Sequence, residues 1–142
     1  MRIVLDTNLL VSGFLSPHGP PGAILRSVLA GSITLCFDER ILAEYREVLT
    51  RGSLALDGER VDAVLEFIEA NGESVLAEAL GVELPDAADT MFVEVASAAG
   101  ADCVVIGNRR HFPAEQAGDL RVLVPREFVD EHGRTPHRLA SE

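Results

Sequence analysis

Short apolar runs alternate along this chain with stretches in which apolar residues recur every three to four positions. That rhythm predicts strands alternating with helices, the pattern of an α/β domain with a parallel sheet. Arg2-Ile3-Val4-Leu5-Asp6 predicts a first buried strand, residues 2–6, that ends in a carboxylate. A short helix over 8–15 follows and stops at Ser16-Pro17-His18-Gly19-Pro20-Pro21. Ile24, Leu25, Val28 and Leu29 then share one helical face, ended by Gly31. After a strand at 33–37, Asp38 is placed to cap a helix whose stripe is Ile41, Leu42, Tyr45, Val48 and Leu49. Val61, Val64, Leu65 and Ile68 mark the next helix, closed by Asn71-Gly72, and residues 74–79 read as a weak edge strand. Pro85-Asp86 starts a helix running to about Ala99, Gly100 ends it, and a strand at 103–106 follows. A last strand at 121–124 leads through Pro125 into a short helix. The expected organisation is one domain over 1–132 and a polar, flexible tail over 133–142.

Length and composition narrow the classes. At 142 residues and 47% apolar content the chain can bury one good core, and no repeat or low-complexity segment suggests a second unit. Net charge is −11, which argues against a broad basic surface gripping nucleic acid through many phosphates. A cluster of carboxylates that binds divalent cations itself adds negative charge, so a nucleic-acid substrate stays open. All 12 basic residues are arginine, which removes every reading that needs a catalytic or phosphate-binding lysine. Cys36 and Cys103 both lie in apolar strand-like runs without CxxC spacing, so buried free thiols are expected. No apolar run approaches the ~20 residues of a membrane span, and the first residues read as a strand, not a leader. The expected location is the cytoplasm.

Each carboxylate has a local reading of its own. Strand-end Asp6 is in a functional place, because open α/β sheets bind ligands at the carboxyl ends of their strands. With Ile41 at zero and roughly 100° per residue, the stripe of its helix spans about −20° to 100° and Glu44 falls near −60°, bordering the buried face. Taken alone, Glu44 reads as a boundary glutamate with its stem on the core and its head in water. With Met91 at zero, Phe92, Val95, Ala96 and Ala99 span roughly 0° to 140° and Asp89 sits near 160°. Taken alone, Asp89 reads as a first-turn aspartate favoured by the helix dipole. Pro85-Asp86 reads first as an N-cap. Tyr45 reads as core, while His18, His132 and His137 suggest no role.

In order and spacing, the following pieces resemble the PIN-domain family: Asp6-Thr7-Asn8 after a first strand, Glu44-Tyr45 in a mid-chain helix, the run from Leu84-Pro85-Asp86 through Asp89-Thr90-Met91-Phe92 to Ala96, and Ile106-Gly107-Asn108-Arg109-Arg110-His111. More narrowly they are similar to PIN-type toxins of bacterial toxin–antitoxin pairs, over residues 1 to about 130. The resemblance implies an α/β/α three-layer fold on a parallel sheet of about five strands, and a Mg²⁺- or Mn²⁺-dependent endoribonuclease. It implies that Asp6, Glu44 and Asp89 are the catalytic, metal-holding acids, with Asp86 auxiliary. Many PIN domains carry a fourth acid just after the strand that ends at Ile106, and this chain has Asn108 there. An amide oxygen ligates a hard cation or orients a water but adds no charge. The alternative reading follows from that departure: a catalytically weak or inactive PIN-like module that binds RNA or protein.

The chemistry explains the residue types. Two carboxylates about 5 Å apart repel by roughly 3 kcal/mol at an effective dielectric near 20, so a cluster of them calls for a cation. Mg²⁺ prefers oxygen ligands and keeps several waters, which suits carboxylates and a substrate phosphate. Thr7, Asn8 and Ser12 lie close enough to the strand end to hold metal waters or phosphate, although Thr7 and Asn8 equally fit a helix cap. Arg109 and Arg110 read either as a solvated turn or as donors that hold the RNA backbone. A receiver-type phosphorylation switch would need a lysine, an aspartyl phosphatase a second Asp where Asn8 stands, and neither a Gly-x-x-x-x-Gly-Lys loop nor a Gly-x-Gly-x-x-Gly turn is present. The toxin resemblance implies a cognate antitoxin whose disordered tail places an Arg or Lys among the acids. Leu9, Leu10, Phe14, Leu25 and Leu29 are the expected surface for homodimerisation and antitoxin docking.

Overall fold

A computed structural model describes residues 1–79, 89–107 and 120–134. Strand β1 (Arg2–Leu5) leads into α1 (Thr7–Leu15) and α2 (Pro20–Leu29), then β2 (Thr34–Phe37) into α3 (Glu39–Leu49). A single 3-10 turn (Gly52–Leu54) precedes α4 (Gly58–Asn71) and the short β3 (Glu73–Ser74). Helix α5 (Thr90–Ala99), β4 (Cys103–Val105), β5 (Val122–Leu123) and α6 (Pro125–Arg134) complete the described elements. The caps form where side-chain oxygens meet the free N–H groups of a first turn: Asp38 accepts from Ile41 N at 3.0 Å, and Asp57 from Glu59 N at 3.1 Å. Gly100 ends α5 at φ 62, a left-handed conformation that its missing Cβ permits.

The five strands are all parallel, in the order β3-β2-β1-β4-β5. The chain grows outward from β1 through β2 to β3, then returns to the other side of β1 for β4. The order therefore reverses between β1 and β4, and the crevice beyond their carboxyl ends is where such sheets bind ligands. Register puts Leu5 opposite Val105, so the residues that follow them, Asp6 and Ile106, meet at that edge. Ile3, Val4, Leu5, Val104 and Val105 are all buried, on consecutive positions that face opposite sides of the sheet. Both faces are thus covered, which makes the sheet the middle layer of an α/β/α fold. Helix α5 lies across β1, β2 and β4, while α1 packs on α2 and α2 on α6.

The structure agrees with the expected α/β class, parallel sheet and free buried cysteines, and it corrects four details. The edge strand covers only Glu73–Ser74, with Val75 N still bonded to Phe37 O at 2.9 Å. Helix α6 runs to Arg134, past the boundary expected at 132, and the rest of the tail lies outside the described residues. Leu9, Leu10, Phe14 and Leu25 are buried, because α1 and α2 turn these side chains toward the protein interior. Only Leu29 of that set is exposed, so the expected docking surface does not exist as drawn. The fourth correction is the cap of α1. Asp6 caps it, in place of Thr7 or Asn8.

Candidate active site

Asp6 enters the site from β1 with its backbone pinned by Asp6 N to Val105 O at 3.0 Å. Its buried carboxylate accepts Asn8 N at 2.8 Å, and Gly107 N approaches the second oxygen at 3.4 Å, long for such a bond. One carboxylate therefore stops the strand, starts the helix and faces the turn after β4.

Glu44 reaches the same place from α3. Thr7, itself buried, donates its hydroxyl to Glu44 Oε2 at 2.5 Å. The next residue on α3, Tyr45, is fully buried and donates its hydroxyl to Leu5 O at 2.5 Å. Burial pushes the Tyr45 phenol well above its ordinary range, and the nearby negative charges of Asp6 and Glu44 add to the rise.

Asp89 stands at the first position before α5, half-buried, and does not cap the helix with its side chain. Asn8 is exposed and Ser12 half-buried on α1. Asp86, Asn108, Arg109 and Arg110 lie outside the described residues. Asp6, Thr7 and Glu44 are thus brought together directly, whereas among the described residues no three His, Cys, Asp or Glu side chains converge closely enough to hold a metal ion. The donors that do converge are all oxygens, a set that fits a hard cation such as Mg²⁺ or Mn²⁺ better than a soft one.

Sequence reasoning missed Glu94. It is buried on α5 and accepts from Arg40 Nη1 at 2.8 Å, while Arg40 Nε donates to Asp38 Oδ2 at 2.8 Å. On a helical wheel Glu94 falls outside the apolar stripe. The available signal was its neighbourhood in α5: Phe92, Val93, Val95 and Ala96 are all apolar and are buried around it, while Ser97 and Ala98 stay exposed.

The PIN domain profile matches residues 2–110, well over half of the chain. The chain belongs to the PIN domain family, a family of nucleases that generally depend on divalent metal ions. Among solved structures, it is similar to a chain of VapBC2 from Rickettsia felis, crystallised bound to a DNA fragment from its promoter. That match has 18% identity and a TM-score of 0.55, over 87% of this chain and 98% of that one. It is also similar to a chain of FitAcB from Neisseria gonorrhoeae at 21% identity and a TM-score of 0.55, over 89% of this chain and 99% of that one. At such identities the likeness speaks for the fold. No curated protein matches the chain.

Proposed function

We propose that this PIN domain is a divalent-metal-dependent endoribonuclease that hydrolyses RNA phosphodiester bonds, and that it is the toxin of a toxin–antitoxin pair. The observation that carries the reading is the pairing of Asp6 with the Thr7-bridged Glu44 at the strand edge where the sheet order reverses. Asp6, Glu44 and Asp89 would hold Mg²⁺ or Mn²⁺, with Asn108 and Asp86 as further oxygen donors. When bound, the cation supplies a more acidic water and charge stabilisation at the scissile phosphate. Asp6 and Glu44 serve as fixed negative charges that favour cation binding. Thr7 orients Glu44, and exposed Asn8 and half-buried Ser12 on α1 would contact phosphate or water. Arg109 and Arg110 would hold the RNA backbone.

Support for the toxin role comes from the two structural relatives, which are toxin–antitoxin complexes. Among the described residues no helix is long and apolar enough to cross a membrane. An RNA-cutting enzyme working in the cytoplasm needs restraint, and a basic antitoxin segment laid over these carboxylates supplies it. The reading also includes a homodimer, whose surface must lie away from the buried α1 and α2 leucines. The test is cleavage of RNA by the purified protein with Mn²⁺, lost on chelation and on Asp6→Asn, together with rescue of growth by the neighbouring gene product. Cleavage that survives Asp6→Asn in nuclease-free preparations refutes the assignment, and no cleavage by the wild type favours a binding module.

A further inference from the structure

Glu44 and Asp89 are carried by different helices, and a guanidinium joins those helices. Arg40 lies one turn before Glu44 on α3 and reaches across to Glu94 on α5, five residues after Asp89. Its other edge holds Asp38 Oδ2 through Nε and Nη2, both at 2.8 Å. Asp38 in turn caps α3 and closes β2. The fork therefore ties three elements: the end of β2, the first turn of α3 and the middle of α5. Its two partner carboxylates are 7% and 5% exposed, and their bonds, that to Glu94 first, raise the affinity of the guanidinium for its proton.

Stability alone does not call for this arrangement. The two carboxylates are buried but the Arg40 side chain is 47% exposed, so the pair adds little net stability, and an apolar residue in place of Glu94 would suit this mostly apolar helix as well. What a planar, multiply bonded guanidinium adds is fixed distance and orientation. We propose that Arg40 is a positioning residue: by fastening α3 to α5 through Glu94 and to the end of β2 through Asp38, it sets how far Asp89, at the start of α5, stands from Glu44 and Asp6, and so whether a cation can draw the three acids together. The proposal rests on the metal-dependent nuclease reading above and deepens it.

The test compares wild type, Arg40→Lys, Arg40→Met, the double variant Arg40→Met with Glu94→Gln, and Asp6→Asn. Mn²⁺ affinity is measured by calorimetry without substrate, and kcat and KM for RNA at saturating Mn²⁺. Arg40→Met is expected to weaken Mn²⁺ binding roughly tenfold, the scale of losses when groups that orient metal ligands are removed. It also lowers kcat and leaves KM for RNA unchanged. Arg40→Lys, which keeps the charge but not the fork, recovers part of the loss. The double variant also neutralises buried Glu94, so it loses the bridge without keeping that carboxylate charge, and it shows the same loss. Wild-type Mn²⁺ affinity and kcat in the folded double variant would make the bridge merely structural and overturn the proposal. A change confined to KM would place Arg40 on the RNA and overturn it too. If wild type binds no Mn²⁺, or Asp6→Asn still cleaves, the nuclease reading itself fails and takes this proposal with it.

Discussion

Asp6 has two tasks with one carboxylate, and two substitutions separate them. It caps α1 through the 2.8 Å bond from Asn8 N, and in the proposed function it holds a cation. Asn keeps the cap and loses the charge, whereas Ala loses both. Asn and Asp rank together as N-caps, and their replacement by Ala costs about 1 kcal/mol. Removing the charge relieves repulsion with Glu44, which would reach about 3 kcal/mol at ~5 Å and an effective dielectric near 20. Glu44 is only half-buried, so solvent and salt reduce that to about 1 kcal/mol. Loss of the favourable charge at the start of α1 opposes it by about 0.5 kcal/mol. Without metal, Asp6→Asn should therefore lie within about 1 kcal/mol of wild type. Asp6→Ala should lie about 1 kcal/mol below Asp6→Asn, a difference in which the charge effects cancel. For a chain of this size that separates the two variants by about 4 °C in Tm. Mn²⁺ at ten times its Kd should stabilise wild type by about 1.4 kcal/mol and neither variant. Urea melts in EDTA and in Mn²⁺ measure all of these. If Asp6→Asn falls with Asp6→Ala, the cap is not what the side chain does for the fold. If Asp6→Asn gains as much from Mn²⁺ as wild type, Asp6 is not a ligand.

Thr7→Val keeps the shape of a buried side chain but removes the donor to Glu44. Stability should fall by about 1 kcal/mol and Mn²⁺ affinity by about tenfold, and an unchanged affinity by calorimetry would mean that Thr7 does not orient Glu44. At Gly22 an added Cβ would sit 2.2 Å from Pro17 O, a backbone atom with little freedom to move. Gly22→Ala should destabilise by about 2 kcal/mol in urea despite the helix preference of alanine, and a stabilised variant would show that α2 does not press on Pro17. Burial pushes the Cys36 thiol up to about 11 and Cys103 up to about 12, with Arg2 and Arg121 respectively opposing the rise. Unfolded thiols lose their protons first, so each contribution is intact below about pH 8.5 and is lost as pH rises toward the folded values, about 2 kcal/mol per thiol by pH 10. Replacing both by Ala should flatten that alkaline fall in stability, and an equally steep fall would assign it to other groups.

What was legible in the chain was local. Strand β1 and its terminal Asp6 follow from a run of consecutive apolar residues, and the caps at Asp38 and Gly100 from chemistry within one turn. Glu44 and Asp89 border the buried faces of their helices, as helical spacing predicted. Periodicity says which side of a helix is apolar but not what covers it. The leucines of α1 and α2 therefore read as surplus surface when their partners are each other, and the wheel position of Glu94, off the apolar stripe, does not reveal that it is buried. Arg40 and Glu94 are 54 positions apart, a separation that no local pattern records.

Consecutive residues of α3 grip consecutive residues around the strand end. Tyr45 holds Leu5 O and Glu44 is held by Thr7, so the two bonds straddle Asp6. Because Tyr45 is wholly buried and bonded to Leu5 O, its ring acts as a spacer that fixes the α3 backbone at Glu44 against the end of β1. With its backbone fixed and its carboxylate bonded to Thr7, Glu44 would need little ordering to meet a cation beside Asp6, as the proposed function requires. A flexible loop bearing the same two carboxylates would be more stable without metal and would bind it more weakly, because ordering the loop would then oppose binding. The frame also explains why Thr7 is better suited to orient Glu44 than to contact substrate: its hydroxyl is already committed, and its burial keeps it from the phosphate. In the proposed function that leaves exposed Asn8 and half-buried Ser12 as the residues of α1 that would contact phosphate.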